Sequence, residues 1–196
     1  KAADRAKTEF VSVVAHELKV PMTSIRGYAS MLGVVGALSD QQKDFVTTIE
    51  NNVERMKILV EDLSDISRIE SGQLKIAIEP IDLSKVLSQA KDGVMAQIEA
   101  RNHKLVEEIA PQLPQVKADS SRLVQVLVNL LSNAYKYTPD GGTITLSAKQ
   151  EANHIKIAIK DSGIGMSPEQ VAQLGTKFFR ADNEHVTQQP GTGLGF

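Results

Sequence analysis

The chain has 196 residues, 22 Lys and Arg against 24 Asp and Glu for a formal charge of −2, and no Cys. That balance, with its basic residues scattered, excludes the basic footprint of a nucleic-acid binder, and the lack of Cys excludes a disulfide framework, a thiolate metal site and a Cys nucleophile. No apolar run reaches the ~20 residues that span a bilayer, so the stretch reads as cytoplasmic and free of membrane contact, with any anchor or sensing domain of a longer parent lying outside it.

From Phe10 the apolar positions Phe10, Val14, Leu18, Pro21, Ile25, Tyr28 and Leu32 step by three or four, which predicts one long helix over residues 4–33. Gly33 and Gly36 break the pattern. Ser39 followed by Gln42 forms a capping-box start to a second run through Phe45, Ile49, Met56, Leu59, Leu63 and Ile66. Two antiparallel helices leave one side of each apolar seam in water. A second hairpin is therefore expected to cover it, most economically in a symmetric dimer that forms a four-helix bundle.

After Gly72 the periodicity changes and a second domain begins, so the chain divides into residues 1–71 and 72–196. A strand is expected over 74–78, helical spacing returns over 83–100, and a further strand is expected over 105–109. A strongly apolar helix follows over 121–137. Two alternating runs, 143–148 and 154–161, flank a turn at Glu151-Ala152-Asn153. This mixture of strands and helices indicates an α+β layer fold. The stretch 178–195 is polar and glycine-bearing without period, in the manner of a lid.

Chemistry concentrates at four places. The first helix carries Ala15-His16-Glu17-Leu18-Lys19-Val20-Pro21, an imidazole beside a carboxylate with a proline five residues on. A lone helical His usually does nothing, but a mid-helix Pro costs ~3 kcal/mol and frees the carbonyl of residue 17, local strain that a functional site would explain. His16 is thus a candidate phosphoryl acceptor, with Glu17 as its base. On the apolar helix, Asn129, Asn133 and Lys136 share one face, and amide oxygens suit a hard cation such as Mg²⁺; surface filler is the bland alternative. Asp161-Ser162-Gly163-Ile164-Gly165 sets an acceptor beside backbone that can approach a flat ring, and Gly191-Thr192-Gly193-Leu194-Gly195 offers backbone N–H groups to phosphates. Either glycine set alone would be an ordinary turn.

In this order the motifs resemble those of the HisKA-type sensor histidine kinases of two-component signalling, and the resemblance covers essentially the whole chain. Residues 16–21 are similar to their H box, residues 129–139 to the N box, and residues 161–165 and 191–195 to the two glycine boxes. The resemblance implies a dimerising helical hairpin followed by an α+β sandwich ATP-binding domain of the Bergerat type, incomplete at its C-terminal end. It implies ATP-dependent phosphorylation of His16, with Glu17 activating it, and transfer to an aspartate on a response-regulator receiver domain. It places Mg²⁺ on Asn133 with Asn129, phosphate or ribose on Lys136 and Tyr137, and the adenine amine on Asp161. Gly163 and Gly165 give the ring room, Gly191 and Gly193 hold phosphates, and Arg180 contacts the γ-phosphate. The sequence departs from the family pattern at Gly175, where relatives often carry Phe, at Val20, where they usually carry Thr or Asn, and at Phe196, where it stops and they continue. Valine lacks the polar group that orients a hydrolytic water, so weak phosphatase activity is expected. The competing readings are an ATPase of the gyrase, mismatch-repair or chaperone type, against which the His-bearing hairpin speaks, and a catalytically silent scaffold.

Overall fold

The computed structural model describes residues 2–176, and the chain divides after Lys75 into two compact units. The first is a helical hairpin of α1 (Ala2–Val35) and α2 (Asp40–Glu70). α2 begins as expected: the Ser39 hydroxyl accepts from the Gln42 amide at 3.3 Å, and Gln42 Oε1 accepts from the Ser39 amide at 2.9 Å. α1 runs through Pro21 unbroken, although Pro21 has no N–H for the Glu17 carbonyl. Just beyond it, the hydroxyls of Thr23 and Ser24 donate to the carbonyls of Lys19 and Val20 at 2.8 and 3.3 Å.

The hairpin closes on a different stripe from the expected seam. Its buried positions are Ala15, Met22 and Ala29 on α1, and Val53 and Ser67 on α2. Leu18, Ile25 and Leu32 lie three residues on from the α1 stripe, about 60° round the helix, and all three are exposed. Small side chains at two of the three positions let the helix axes approach, since interaxial distance follows the residues at the contact. Register comes from three polar pairs across the hairpin: Lys19 with Glu61 at 3.1 Å, Arg26 with Glu54 at 2.9 Å, and Ser30 Oγ with Glu50 Oε1 at 2.6 Å. Such exposed pairs add only about 0–1 kcal/mol each, so they select the antiparallel alignment more than they stabilise it.

The second unit is an α+β sandwich. Its elements are β1 (Glu79–Ile81), α3 (Leu83–Asp92), α4 (Met95–Ala100), β2 (Lys104–Ile109), β3 (Val116–Ala118), α5 (Ser120–Tyr137), β4 (Thr143–Glu151), β5 (His154–Asp161) and α6 (Pro168–Ala172). One sheet has the order β2-β4-β5, parallel between β2 and β4 and antiparallel between β4 and β5, while β1 and β3 form a separate antiparallel pair. The helical layer packs on the larger sheet. Alternate residues Ile144, Leu146 and Ala148 of β4 meet Leu127, Leu131 and Ala134 of α5 and Leu83, Val86 and Leu87 of α3 in one core. Burying a leucine side chain as fully as Leu131 contributes about 1.5–3 kcal/mol. Among the described residues no helix is long and apolar enough to cross a membrane.

Two expectations shift. The strand expected over 74–78 is irregular, and pairing starts only at Glu79. The reason is a side chain: the Ala77 amide donates to Asp119 Oδ2 at 3.0 Å rather than to a neighbouring strand. The helix expected over 83–100 divides into α3 and α4 at Gly93 and Val94.

Asp119 also caps α5, accepting from the Arg122 amide at 3.1 Å and from the Ser121 hydroxyl at 2.7 Å. The hydrogen bonds from Ser121, Ala77 and Arg122, in that order, lower its pKa from 3.8 to about 2. A carboxylate depressed on folding stabilises the fold above its unfolded pKa, and that contribution is lost as pH falls through the folded value. Thermal melts between about pH 5 and pH 2 are therefore expected to fall less steeply for Asp119→Asn than for wild type, since Asn keeps a capping oxygen but does not titrate. Parallel melting curves for the two proteins would remove Asp119 from this role.

Candidate active site

His16 projects from the middle of α1 with its side chain 76% exposed, and its Nδ1 stands 3.5 Å from Glu17 Oε1. Helical spacing brings Val20 one turn along the same face, exposed as well. The imidazole is thus on the surface, with a carboxylate beside one ring nitrogen.

In the second unit the candidate residues meet at one end of α5. The core face of that helix is Leu127, Leu131 and Ala134. Asn129, Asn133 and Lys136 each fall two residues after a core position, about 200° round the helix, so core burial turns them away from the sheet. All three are half-buried, as is Tyr137. The Lys136 ammonium lies 5.9 Å from the centre of the Tyr135 ring.

The last residue of β5, Asp161, turns the chain into a corner against the end of α5. Asp161 Oδ1 accepts from the Gly163 amide at 2.8 Å, and its carboxylate is otherwise exposed. The Ile164 amide donates to the Tyr137 carbonyl at 3.2 Å. A Cβ on Gly163 would stand 2.5 Å from both Asp161 Oδ1 and the Tyr137 carbonyl oxygen, so only glycine fits. Gly165 has φ +67°, the left-handed region that glycine enters freely. Ser162 fastens the corner to β4: its amide donates to the Thr143 carbonyl at 3.0 Å and its hydroxyl accepts from the Thr143 amide at 2.9 Å.

Tyr137, Asp161 and Gly163 therefore come together, with Lys136 the preceding residue of α5 and Asn133 and Asn129 one and two turns back from the helix end. Arg180, Gly191 and Gly193 lie outside the described residues. His16 and Glu17 belong to the other unit.

Sequence reasoning gave four neighbours no role. Gly142 is one, because a Cβ there would collide with Thr138 Cγ2 and stand 2.9 Å from Ser162 Oγ; the Gly141-Gly142 pair was its only signal. Thr138 is buried with its hydroxyl unpartnered among the described residues. Arg101 and His103 reach the last carbonyls of α5, and no local pattern announces them.

Comparison with known proteins finds two family profiles along the chain. Residues 6–72 match the profile of the His Kinase A (phospho-acceptor) domain, and residues 118–196 that of the Histidine kinase-, DNA gyrase B-, and HSP90-like ATPase. The chain is 30% identical over 198 residues to an uncharacterized sensor-like histidine kinase of Rhizobium meliloti, an alignment that takes in 100% of this chain and 38% of the relative. It is 33% identical over 199 residues to the circadian input-output histidine kinase CikA of Synechococcus elongatus, covering 100% of this chain and 26% of that protein. The crystal structure of full-length ShkA in complex with AMPPNP is similar with a TM-score of 0.74 at 25% identity, over 95% of this chain and 38% of that one. The chain thus spans well under half the length of the relatives it matches. A phospho-acceptor profile on the hairpin, an ATPase profile reaching from the start of α5 onward and histidine-kinase relatives aligned along its full length lead to one conclusion: the chain carries a His Kinase A phospho-acceptor domain followed by an ATPase domain of the histidine kinase, DNA gyrase B and HSP90 type.

Proposed function

We propose that this chain binds ATP in its α+β unit, transfers the γ-phosphoryl group to His16 and passes it to an aspartate of a response-regulator receiver domain, in the cytoplasm. The observation that carries the reading is the corner at Gly163. There a carboxylate and a backbone stripped of side chain meet the end of the helix that carries Asn129, Asn133 and Lys136 half-buried along one face.

In this reading the free edge of the Asp161 carboxylate accepts from the adenine amine, and Gly163 and Gly165 leave room for the ring. Lys136 and Tyr137 contact phosphate or ribose. Asn133 and Asn129 offer amide oxygens to Mg²⁺, a donor set that suits a hard cation sharing its shell with phosphates and water. The metal, when bound, offsets negative charge on the phosphate oxygens. Arg180, Gly191 and Gly193 take the roles that the family resemblance gives them. On the hairpin, the placement of Nδ1 beside Glu17 Oε1 leaves the lone pair of Nε2 for attack. The Nε2–phosphorus bond forms as the bond to the ADP oxygen breaks, and the Nδ1 proton passes to Glu17, which leaves a neutral phosphorylated imidazole.

Two finer points belong to the same reading. The exposed apolar residues of the hairpin support a homodimer that completes a four-helix bundle. Exposed Val20, one turn from His16, supports weak phosphatase activity, since it offers no hydroxyl to a water attacking the phosphoaspartate. Val20→Thr is expected to speed loss of label from a purified phosphorylated regulator in the presence of ADP, with autophosphorylation little changed. Rapid dephosphorylation by wild type, or no gain from Thr, would overturn that point.

The kinase reading is tested by incubation with γ-labelled ATP and Mg²⁺. Label that is lost in acid and kept in base is the expected result, because a phosphorus–nitrogen bond has that stability pattern. Base-labile label, or none, would count against it.

A further inference from the structure

The last four carbonyls of an α-helix have no partner within it, and when such an end is half-buried each must find a donor elsewhere. At the end of α5 all four do. The Ala134 carbonyl accepts from the Thr138 amide at 3.1 Å, and the Tyr137 carbonyl from the Ile164 amide at 3.2 Å. The two between them are served from the turn after α4. Arg101 Nη1 donates to the Tyr135 carbonyl at 3.1 Å and to the Lys136 carbonyl at 3.3 Å, and His103 Nε2 lies 3.1 Å from the Tyr135 carbonyl. A carbonyl only accepts, so Nε2 carries the proton.

This arrangement is built rather than incidental. His103 is 7% exposed and its Nδ1 has no partner among the described residues, so the ring is buried for the sake of one hydrogen bond. Asn102 between them has φ +53°, a left-handed residue that Asn tolerates, and it ends the α4 turn so that both flanking side chains reach α5. The segment is then fastened to the loop beyond α5, with the Gly141 amide on the Arg101 carbonyl at 3.0 Å and the Lys104 amide on the Gly142 carbonyl at 2.8 Å. A guanidinium at a helix C-terminus also meets the negative end of the helix dipole.

We propose that Arg101 and His103 are positioning residues for the adenine nucleotide: by holding the Tyr135 and Lys136 carbonyls they fix the last turn of α5. Through the Tyr137 carbonyl and the Ile164 amide, that turn sets the Asp161–Gly163 corner against which the base lies. The inference rests on the nucleotide reading of that corner. Neither residue touches the base itself. Both act through the backbone of the turn that carries Lys136 and Tyr137.

The test pairs two measurements on the full chain: hydrogen exchange of the Ile164 amide without nucleotide, and ADP affinity by calorimetry. Losing a hydrogen bond of this kind is expected to speed Ile164 exchange and weaken ADP by about tenfold each in Arg101→Met and His103→Leu. Exchange of the Leu146 amide in the core of β4 stays as in wild type. His103→Gln, which keeps an N–H donor, recovers most of both effects, and Arg101→Lys, which keeps the charge but not the fork, recovers part. Acceleration at Leu146 equal to that at Ile164 would mean a merely structural role and overturn the inference. So would unchanged ADP affinity in variants whose wild-type parent binds ADP. A wild-type chain that binds no adenine nucleotide would instead bring down the reading of the site, and this inference with it.

Discussion

Replacing His16 with Gln is expected to abolish incorporation of label from γ-labelled ATP while leaving ADP affinity within about twofold of wild type. The imidazole is mostly exposed, with Glu17 Oε1 3.5 Å from its Nδ1, so truncating it removes little packing. Gln is also as good a helix former, which leaves α1 intact. What disappears is the nitrogen lone pair, because a carboxamide nitrogen is delocalised into its carbonyl and does not attack phosphorus. The residues that hold nucleotide in the proposed reading all lie beyond Lys75, in the other compact unit. The measurement is acid-labile label per chain beside a calorimetric ADP titration. Label retained by the variant would remove His16 from its role, and a parallel loss of ADP affinity would show that the variant had damaged more than the acceptor.

The parts of this molecule that were legible in the sequence are those specified by neighbours in the chain. α1 and α2 follow from period, α2 from a capping box that forms as written, and β4 and β5 from alternation around a turn in which Ala152 has φ +52°. The end of β5 was legible because Asp161 and Gly163 are two residues apart and bond to each other. What escaped depends on contacts distant in sequence. Residues 74–78 alternate like a strand, yet a carboxylate 42 positions later takes the Ala77 amide. Arg101 and His103 reach carbonyls 32 to 35 positions away, and nothing in Arg-Asn-His announces that. The short β3 and α6 gave too few residues for a period to show. The hairpin stripe was missed for another reason: the large apolar side chains mark the exposed seam, whereas the helices close on Ala15, Met22 and Ala29 against Val53 and Ser67.

That correction sharpens what is expected of the hairpin in solution. Leu18, Ile25 and Leu32 on α1, and Phe45, Met56 and Leu63 on α2, are exposed because the pairing of α1 with α2 uses other positions. Exposed apolar residues recurring along both helices mark an association surface, and a two-fold axis lets the same residues of a second copy cover them. Specific interfaces typically remove about 1,200–2,000 Å² from water, an area that stripes on two helices of 34 and 31 residues in each copy are long enough to supply. Wild-type chain at micromolar concentration is therefore expected to sediment as a dimer. A double replacement, Leu63→Glu with Ile66→Glu, is expected to give monomer with reduced helicity, since a carboxylate buried without a partner costs several kcal/mol. The two positions divide the effect. Ile66 is half-buried within its own hairpin, so its replacement also weakens the pairing of α1 with α2, whereas Leu63 is exposed. Leu63→Glu alone is thus expected to shift the sedimentation coefficient toward monomer while circular dichroism at 222 nm, the wavelength that reports helix, changes little. A wild-type chain that sediments as a monomer, or a Leu63→Glu chain that remains a dimer, would show that this stripe meets something other than its own copy.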